Sequence, residues 1–152
     1  MADLPPARDG ATRRTDSLAL LSTPAIDVWV ATAAADGLPH LVPVSLAWAG
    51  ERVVLAVDGA SLTAHNLQAS GRARLGVGPT RDVVMIDAVL ERTAGVDDDA
   101  ALGEAYAAQA DWDPRGVAGY VFLVLRPERL QAWREANETA GRTLLRDGTW
   151  VV

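Results

Sequence analysis

Cysteine and lysine are both missing from this chain of 152 residues. Without cysteine the protein has no disulfide framework, no thiolate nucleophile and no cysteine-ligated metal. Without lysine, all 14 basic residues are arginine, which excludes a Schiff-base lysine and a lysine general base. A GC-rich genome favours arginine codons, so the absence of lysine is by itself a compositional feature and not a functional one.

Two further absences narrow the class of protein. The chain has no excess of basic charge: its net charge of −6 at pH 7 argues against broad nucleic-acid binding. It also has no apolar run that approaches the ~20 residues of a membrane-spanning helix. The length predicts one domain that buries roughly 68–70% of its unfolded surface. We therefore predict a cytoplasmic protein with neither a nucleic acid nor a membrane as its partner.

Alternating apolar residues and turn signals predict a mainly β chain with short helices. Residues 1–14, which contain two adjacent prolines, are predicted to be a flexible tail, and residues 15–152 a single domain. The hairpin signals include Asp36-Gly37 and Ala49-Gly50-Glu51. The predicted strands are 27–33, 39–47, 52–57, 72–77, 82–93 and 119–125, and the predicted helices are 15–21, 61–69 and 97–110.

Two points stay open towards the end of the chain. Residues 128–135 either continue the last of these strands or turn helical, and Asp147-Gly148 signals a final hairpin. Six or so strands without βαβ alternation favour a small barrel over a doubly wound sheet.

The start of the second predicted helix is a candidate anion site. Ser61 is a predicted N-cap, and Leu62-Thr63-Ala64 has no acid to occupy the exposed amides of the first turn, so either a phosphate or an ordinary cap fits. Arg72 and Arg74 lie two apart on a strand and share a face. They either clamp a phosphate beside the helix start or pair with an acid across strands, for example Asp87, and ion pairing is favoured.

Other familiar chemistry finds little support in the sequence. His40 and His65 lack the spacing of a metal motif, so no metal site is predicted. There is no Gly-x-Ser-x-Gly elbow, and Gly76-Val77-Gly78 lacks the third glycine of a dinucleotide fingerprint. No residue is committed to proton transfer, so no catalytic residue is assigned. Trp133 and Trp150 lie away from the strongest core pattern, where they either cover a flat ring or line a subunit interface.

Three segments together resemble a known family. Residues 36–44 (DGLPHLVPV), 61–67 (SLTAHNL) and 72–75 (RARL) are similar to the pyridoxamine 5'-phosphate oxidase-like, flavin-binding split-barrel superfamily. The chain looks most like its small actinobacterial flavin- and deazaflavin-dependent oxidoreductases. The resemblance covers about residues 15–150, including the C-terminal tryptophan and arginine residues.

The resemblance implies a six-stranded split β-barrel that forms a homodimer, with FMN or the deazaflavin coenzyme F420 between the subunits. Residues of the partner subunit, such as Trp112, Trp133 or Arg142, would close the ring pocket. The implied cofactor-binding residues are His40, Val42, Pro43, Val44 and Ser45 beside the ring, Ala60, Ser61, Leu62, Thr63 and Asn66 at the phosphate, and in addition Arg74 and Trp133.

The chain departs from the family at the phosphate. The family often places a lysine or arginine within residues 61–65, whereas this chain has Leu62, Thr63 and Ala64 there. Replacing a charge-assisted contact by a hydroxyl costs about 1 kcal/mol or more, which Arg72, Arg74 or Arg81 would have to offset. The C-terminal segment with which pyridoxamine phosphate oxidases bind substrate is not recognisable, so that activity is not predicted.

The resemblance favours an oxidoreductase that transfers hydride to a small organic substrate. Because the ring carries the hydride, the lack of an assigned acid or base is compatible with this function. The first alternative is a non-catalytic protein that binds or sequesters flavin or haem. The second is a degenerate barrel retained as a dimeric interaction module.

Overall fold

A computed structural model describes residues 3–152 of the chain. The first helix, α1, spans Gly10–Leu21, and its N-cap Asp9 accepts a hydrogen bond from the backbone N–H of Thr12 at 2.8 Å. The helix thus begins five residues before the predicted start at Thr15, so that residues 10–14 of the predicted tail are helical. The division into a tail and a single domain itself stays a prediction.

Residues 3–152 form eight strands and two further α-helices around a closed barrel. The pairing order is β3-β2-β1-β4-β5-β6, every pair is antiparallel, and β3 also pairs with β6, which closes the ring. The predicted mainly β, six-stranded barrel is therefore confirmed. The elements are β1 Asp27–Ala33, β2 Pro39–Ala49, β3 Arg52–Asp58, α2 Leu62–Ser70, β4 Arg72–Val77, β5 Val83–Gly95, α3 Ala100–Ala110, β6 Tyr120–Trp133, β7 Thr143–Arg146 and β8 Thr149–Trp150.

The barrel is filled by every second residue of its strands. Val30, Leu75 and Ile86 are fully buried in it, together with Leu67 of α2. Because side chains alternate between the two faces of a strand, their neighbours point outward. On one side of the barrel those outward residues are covered by α3, whose Tyr106 packs against Phe122 in a second apolar cluster. The outward side of β1, of β4 and of residues 39–43 of β2 has no such cover within the described chain.

Strand β6 pairs with three other strands, β3, β5 and β7. Tyr120–Leu125 faces β3, Val121–Trp133 faces β5, and residues 129–131 face β7. The register between β5 and β6 shifts at one point: Asp87 lies opposite Arg129, but its neighbour Ala88 lies opposite Pro127. Glu128 has no partner on β5 and is therefore the extra residue of a β-bulge. The bulge accommodates a proline that cannot donate to the ladder. The open alternative at residues 128–135 is thus resolved, with strand as far as Trp133.

The chain ends in the predicted hairpin. β7 and β8 pair around Asp147 and Gly148, whose φ angles of 50° and 74° are those of a type I′ turn. None of the helices within residues 3–152 has the length and apolar character needed to cross a membrane.

Candidate functional site

Strand β2 changes partner halfway along its length. Residues 39–45 pair with β1, whereas pairing with β3 is confined to Leu46–Ala49. β3 meanwhile stays paired to β6 as far as Asp58. An opening therefore lies between residues 39–45 of β2 and 56–58 of β3, and we call it the seam.

The backbone of β2 presents unpaired groups to this seam. The N–H of Leu46 donates to the carbonyl of Ile26 at 3.1 Å. The backbone N–H and C=O groups of successive residues point to opposite sides of an antiparallel strand. The backbone groups of Val44 and Val42 therefore point towards β1, and those of Ser45 and Pro43 point towards the seam.

Two consequences follow for the predicted ring-binding segment. Pro43 has no N–H. Within residues 41–45, the amides that face the seam are therefore those of Ser45 and Leu41. Leu41 was missed by the sequence analysis, although strand alternation from Pro43 would have found it. The carbonyl of Ser45 already accepts a hydrogen bond from the Tyr106 hydroxyl at 3.3 Å.

The side chains of β2 divide between the two faces of the barrel wall. His40, Val42 and Val44 point inward and are half-buried, with His40 directly opposite the buried Thr32. Leu41 and Pro43 point outward and are exposed. The predicted ring-binding residues therefore do not act through side chains on one common surface, and the seam is lined mainly by backbone.

At the start of α2, several of the groups predicted to hold a phosphate already have partners within the protein. The Ser61 hydroxyl accepts from the backbone N–H of Ala64 at 3.2 Å, and Asp58 Oδ1 accepts from the N–H of Ala60 at 2.9 Å. Thr63 is buried, and the Nδ2 of buried Asn66 donates to the Thr32 hydroxyl at 3.1 Å. Leu62 is 60% exposed but offers no polar side chain.

The arginines expected to compensate for the missing cation lie elsewhere. Arg72 follows Gly71, the C-cap of α2, so it lies at the opposite end of the helix, about 13 Å from its start. Its predicted place beside the helix start is wrong, because the helix separates the two. Arg74 pairs with Asp87 at 2.6 Å, which confirms the favoured ion pair, and Arg81 pairs with Glu135 at 2.7 Å.

A second cluster of predicted residues occupies the outward side of β4, β5 and β6. The guanidinium carbon of Arg142 lies 5.3 Å from the centroid of the Trp133 ring. Beside this pair is a cavity of about 250 Å³, lined by Arg74, Met85, Asp87, Arg129, Gln131, Trp133 and Arg142.

The electrostatics of this cluster centre on Asp87. Burial alone would raise the pKa of this carboxyl, but hydrogen bonds from Arg74 and Arg129 outweigh it and lower the pKa. Asp87 therefore stays ionised. A wider cleft of about 1080 Å³ adjoins it and contains five arginines, Arg72, Arg74, Arg126, Arg129 and Arg146, which we call the arginine cleft.

The seam and the Trp133 cluster lie on different strands of the barrel wall, the seam on β2 and Trp133 on β6. A single row of outward residues crosses the sheet between them, in the order Pro43, Trp29, Gly76, Met85 and Gln131. This row spans four inter-strand spacings, about 19 Å. We call this surface the outer face. Its apolar half is open, with Trp29 53% and Leu41 60% exposed.

Trp112, the third residue expected to close the ring pocket, lies outside the outer face. Its indole N–H donates to the Tyr106 hydroxyl at 3.2 Å, and its ring meets Tyr120 edge-on with centroids 5.8 Å apart. It contacts two aromatic residues of the region under α3, Tyr106 and Tyr120, and is itself 37% exposed. No group of three potential metal ligands occurs within residues 3–152.

A closed six-stranded barrel with one open seam is a split barrel. The family model described as pyridoxamine 5'-phosphate oxidase matches residues 24–134, a range that contains all six barrel strands. The chain belongs to this family, whose members bind flavin. No curated protein matches the chain.

Solved structures with the same fold have diverse descriptions. An F420 reductase is 20% identical with a TM-score of 0.61, over 74% of this chain and 93% of its own. A haem-binding protein from Mycobacterium smegmatis is 22% identical with a TM-score of 0.65, over 94% of this chain and 60% of its own. The haem storage protein HutZ from Vibrio cholerae is 16% identical with a TM-score of 0.61, over 77% and 92%. At these identities the likeness shows the fold alone.

Proposed function

We propose that this protein is a cytoplasmic homodimer that holds a flavin or deazaflavin ring between its subunits. The observation that carries the proposal is the open seam of β2, which lies beside an exposed apolar surface at Trp29 and Leu41. A flat ring is bound by an apolar surface with a few fixed polar groups, and the Ser45 and Leu41 amides supply such groups.

The separation of the two clusters along the barrel wall favours a dimer. The path from the seam to Trp133 of the same protomer crosses four inter-strand spacings of the curved sheet, about 19 Å. In a two-fold dimer, each outer face meets a copy of itself, so the seam of one subunit can lie against the Trp133 of the other. Burial of Trp29 and Leu41 in the contact would provide its apolar centre.

For catalysis we propose an oxidoreductase that uses FMN or coenzyme F420 and acts on a small organic substrate. The bound ring supplies hydride chemistry, and the chain orients it through the seam amides and shields it with Trp133. These residues fit the ring. The start of α2 fits poorly the phosphate that both cofactors carry, because most of its polar groups are already bonded within the protein and residues 60–64 contain no cationic side chain.

The second candidate function is non-catalytic binding or sequestration of flavin or haem. One specific observation favours it: haem needs no phosphate site, and its carboxylates suit the arginine cleft, where Arg72 and Arg146 have no acidic partner within residues 3–152. Two of the similar structures are described as haem-binding or haem-storing proteins.

Titration of the purified protein with FMN, coenzyme F420 and haem separates these candidates by their absorption spectra. The oxidoreductase predicts a bound flavin or deazaflavin that a reductant bleaches and a substrate restores. The second function predicts binding without turnover. Binding of none of the three would contradict both and favour a dimeric interaction module.

A matched pair of variants tests the placement of the ring. Trp133→Ala should weaken binding about tenfold, because the ring loses an aromatic contact. Trp150→Ala is the control, since this tryptophan lies in the C-terminal hairpin and bonds to Glu51 instead. Equal effects of the two substitutions would contradict the proposed placement.

A further inference from the structure

The turn that joins β3 to α2 and the first turn of that helix use four of the six backbone donors of residues 59–64 within the protein. The N–H of Gly59 donates to the carbonyl of Gly119 at 2.9 Å, and the N–H of Ser61 donates to the carbonyl of Asp58 at 3.0 Å. Ala60 and Ala64 donate to the side chains of Asp58 and Ser61. An anion site at a helix start depends on several such groups being free.

Two amides remain, those of Leu62 and Thr63, which as the first helical residues have no acceptor inside the helix. Any phosphate they bound would lie close to the Asp58 carboxylate, which accepts from the neighbouring amide of Ala60. Asp58 is exposed and forms no ion pair within residues 3–152. Like charges at such short range repel, and no cation of the turn offsets the repulsion.

The turn is also held in this conformation. The bond from Gly59 to Gly119 attaches it to the loop before β6, and a Cβ on Gly59 would meet that carbonyl at 3.2 Å. The buried amide of Asn66 fixes the first turns of α2 to Thr32. Freeing more donors for a phosphate would break bonds that anchor the helix to the barrel.

We propose that this turn rejects phosphate, so that the protein binds a ring whose side chain ends in hydroxyl groups, such as riboflavin, at least as tightly as FMN. The carboxylate of Asp58 acts as the repulsive element that discriminates between the two ligands. This inference rests on the proposed ring binding, but part of its test does not.

The binding test compares riboflavin and FMN by quenching of flavin fluorescence, in the full chain and in Asp58→Asn/Leu62→Lys. Leu62 is 60% exposed, so the lysine places a cation at the turn without disturbing the core. The wild type should bind FMN no tighter than riboflavin. The double variant should bind FMN about tenfold tighter than the wild type, with riboflavin unchanged.

The matched control is Asp36→Asn/Leu38→Lys, in the exposed hairpin between β1 and β2. There Asp36 Oδ1 accepts from the amide of Leu38 at 3.0 Å, and Leu38 is 67% exposed, so the local geometry and the change in charge are alike. This control should leave the ratio of the two affinities unchanged. A wild type that binds FMN tenfold tighter than riboflavin would overturn the inference, as would an equal response of the two double variants.

A second measurement decides the matter even if no flavin binds, in which case the proposed function fails separately. Amide resonances of Leu62 and Thr63 are followed by ¹⁵N NMR while inorganic phosphate is added at constant ionic strength. We expect no saturable shift in the wild type and a saturable shift in Asp58→Asn/Leu62→Lys. A saturable shift in the wild type would overturn the inference.

Discussion

Arg8 donates hydrogen bonds from Nε and Nη2 to the two carboxylate oxygens of Glu138, 130 residues later, at 2.9 and 2.7 Å. Glu138 is 3% exposed and also accepts from the backbone amide of Arg134. Arg13, likewise buried, donates to the carbonyl of Glu138 at 3.0 Å. The segment before β1 is thereby joined to the segment after β6.

Glu138→Gln should destabilise the protein by about 2 kcal/mol at pH 7, because Arg8 loses its buried carboxylate partner and keeps only the more exposed carboxylates of Asp16 and Asp82. The free energy of unfolding in urea measures the effect. Glu135→Gln is the control, since its partner Arg81 is 79% exposed and such pairs contribute about 1 kcal/mol or less. Equal losses in the two variants would contradict the assigned importance of Glu138.

The same ion pair predicts a dependence of stability on pH. The hydrogen bond from Arg8 lowers the pKa of Glu138 from its ordinary 4.5 to about 2. A lowered pKa in the folded state stabilises the protein above pH 4.5, and this stability is lost as the pH falls towards 2. Wild type and Glu138→Gln should therefore converge in unfolding free energy over that interval. A difference that stays constant down to pH 2 would argue against the pairing.

Gln109→Ala should destabilise the protein by about 2 kcal/mol, because Gln109 joins three elements. Its Nε2 donates to the carbonyl of Leu21 at 2.7 Å, and its Oε1 accepts from the amide of Trp48 at 2.8 Å. Removing it leaves both backbone groups without partners. Gln68→Ala on the exposed side of α2 should change the unfolding free energy by less than about 0.5 kcal/mol.

Gly78→Ala and Gly37→Ala form a pair that separates backbone strain from steric contact. Both glycines have positive φ, 85° and 86°, so each substitution adds about 1 kcal/mol of strain. A Cβ at Gly78 would also meet the carbonyl of Asp82 at 2.6 Å, whereas a Cβ at Gly37 would have no neighbour among residues 3–152 within 4 Å. Thermal unfolding should show a larger loss for Gly78→Ala, by at least about 1 kcal/mol.

Trp29→Glu should convert the proposed dimer to a monomer, because it places a charge at the centre of the apolar half of the outer face. Size-exclusion chromatography with light scattering measures the mass, and circular dichroism checks that the exposed substitution leaves the fold intact. Val117→Glu, at a residue that is 40% exposed in the loop after α3, should leave the mass unchanged. A monomeric wild type would refute the dimer.

Local patterns predicted the strands that end in clear turn signals. β1 and β4 have the predicted bounds, 27–33 and 72–77, because each alternates strictly between buried and exposed residues. The start of α3 was harder to predict. Three consecutive aspartates all suit a helix start, and only the structure identifies Asp99 as the cap. The helix therefore begins at Ala100, three residues after the predicted start at Asp97.

The candidate site depended on relationships that a linear pattern does not contain. The first turn of α2, Leu62 to Ala64, contains no acid, and the carboxylate beside the helix start is that of Asp58, at the end of β3. An aspartate two residues before the amide it binds is an Asx-turn signal, and it would have identified this contact. The closure of β3 on β6 and the distance of Trp133 from the seam required the tertiary structure.

The pairing of β3 with β6 has a consequence for the order in which the protein can be made. β3 ends at Asp58, but β6, with which it pairs, begins only at Tyr120. The wall of the barrel therefore stays incomplete until β6 has left the ribosome. Until then the edge of β3 is exposed, and an unpaired edge is where nascent chains associate wrongly. Chains truncated before Tyr120 should therefore collect in the insoluble fraction of expressing cells.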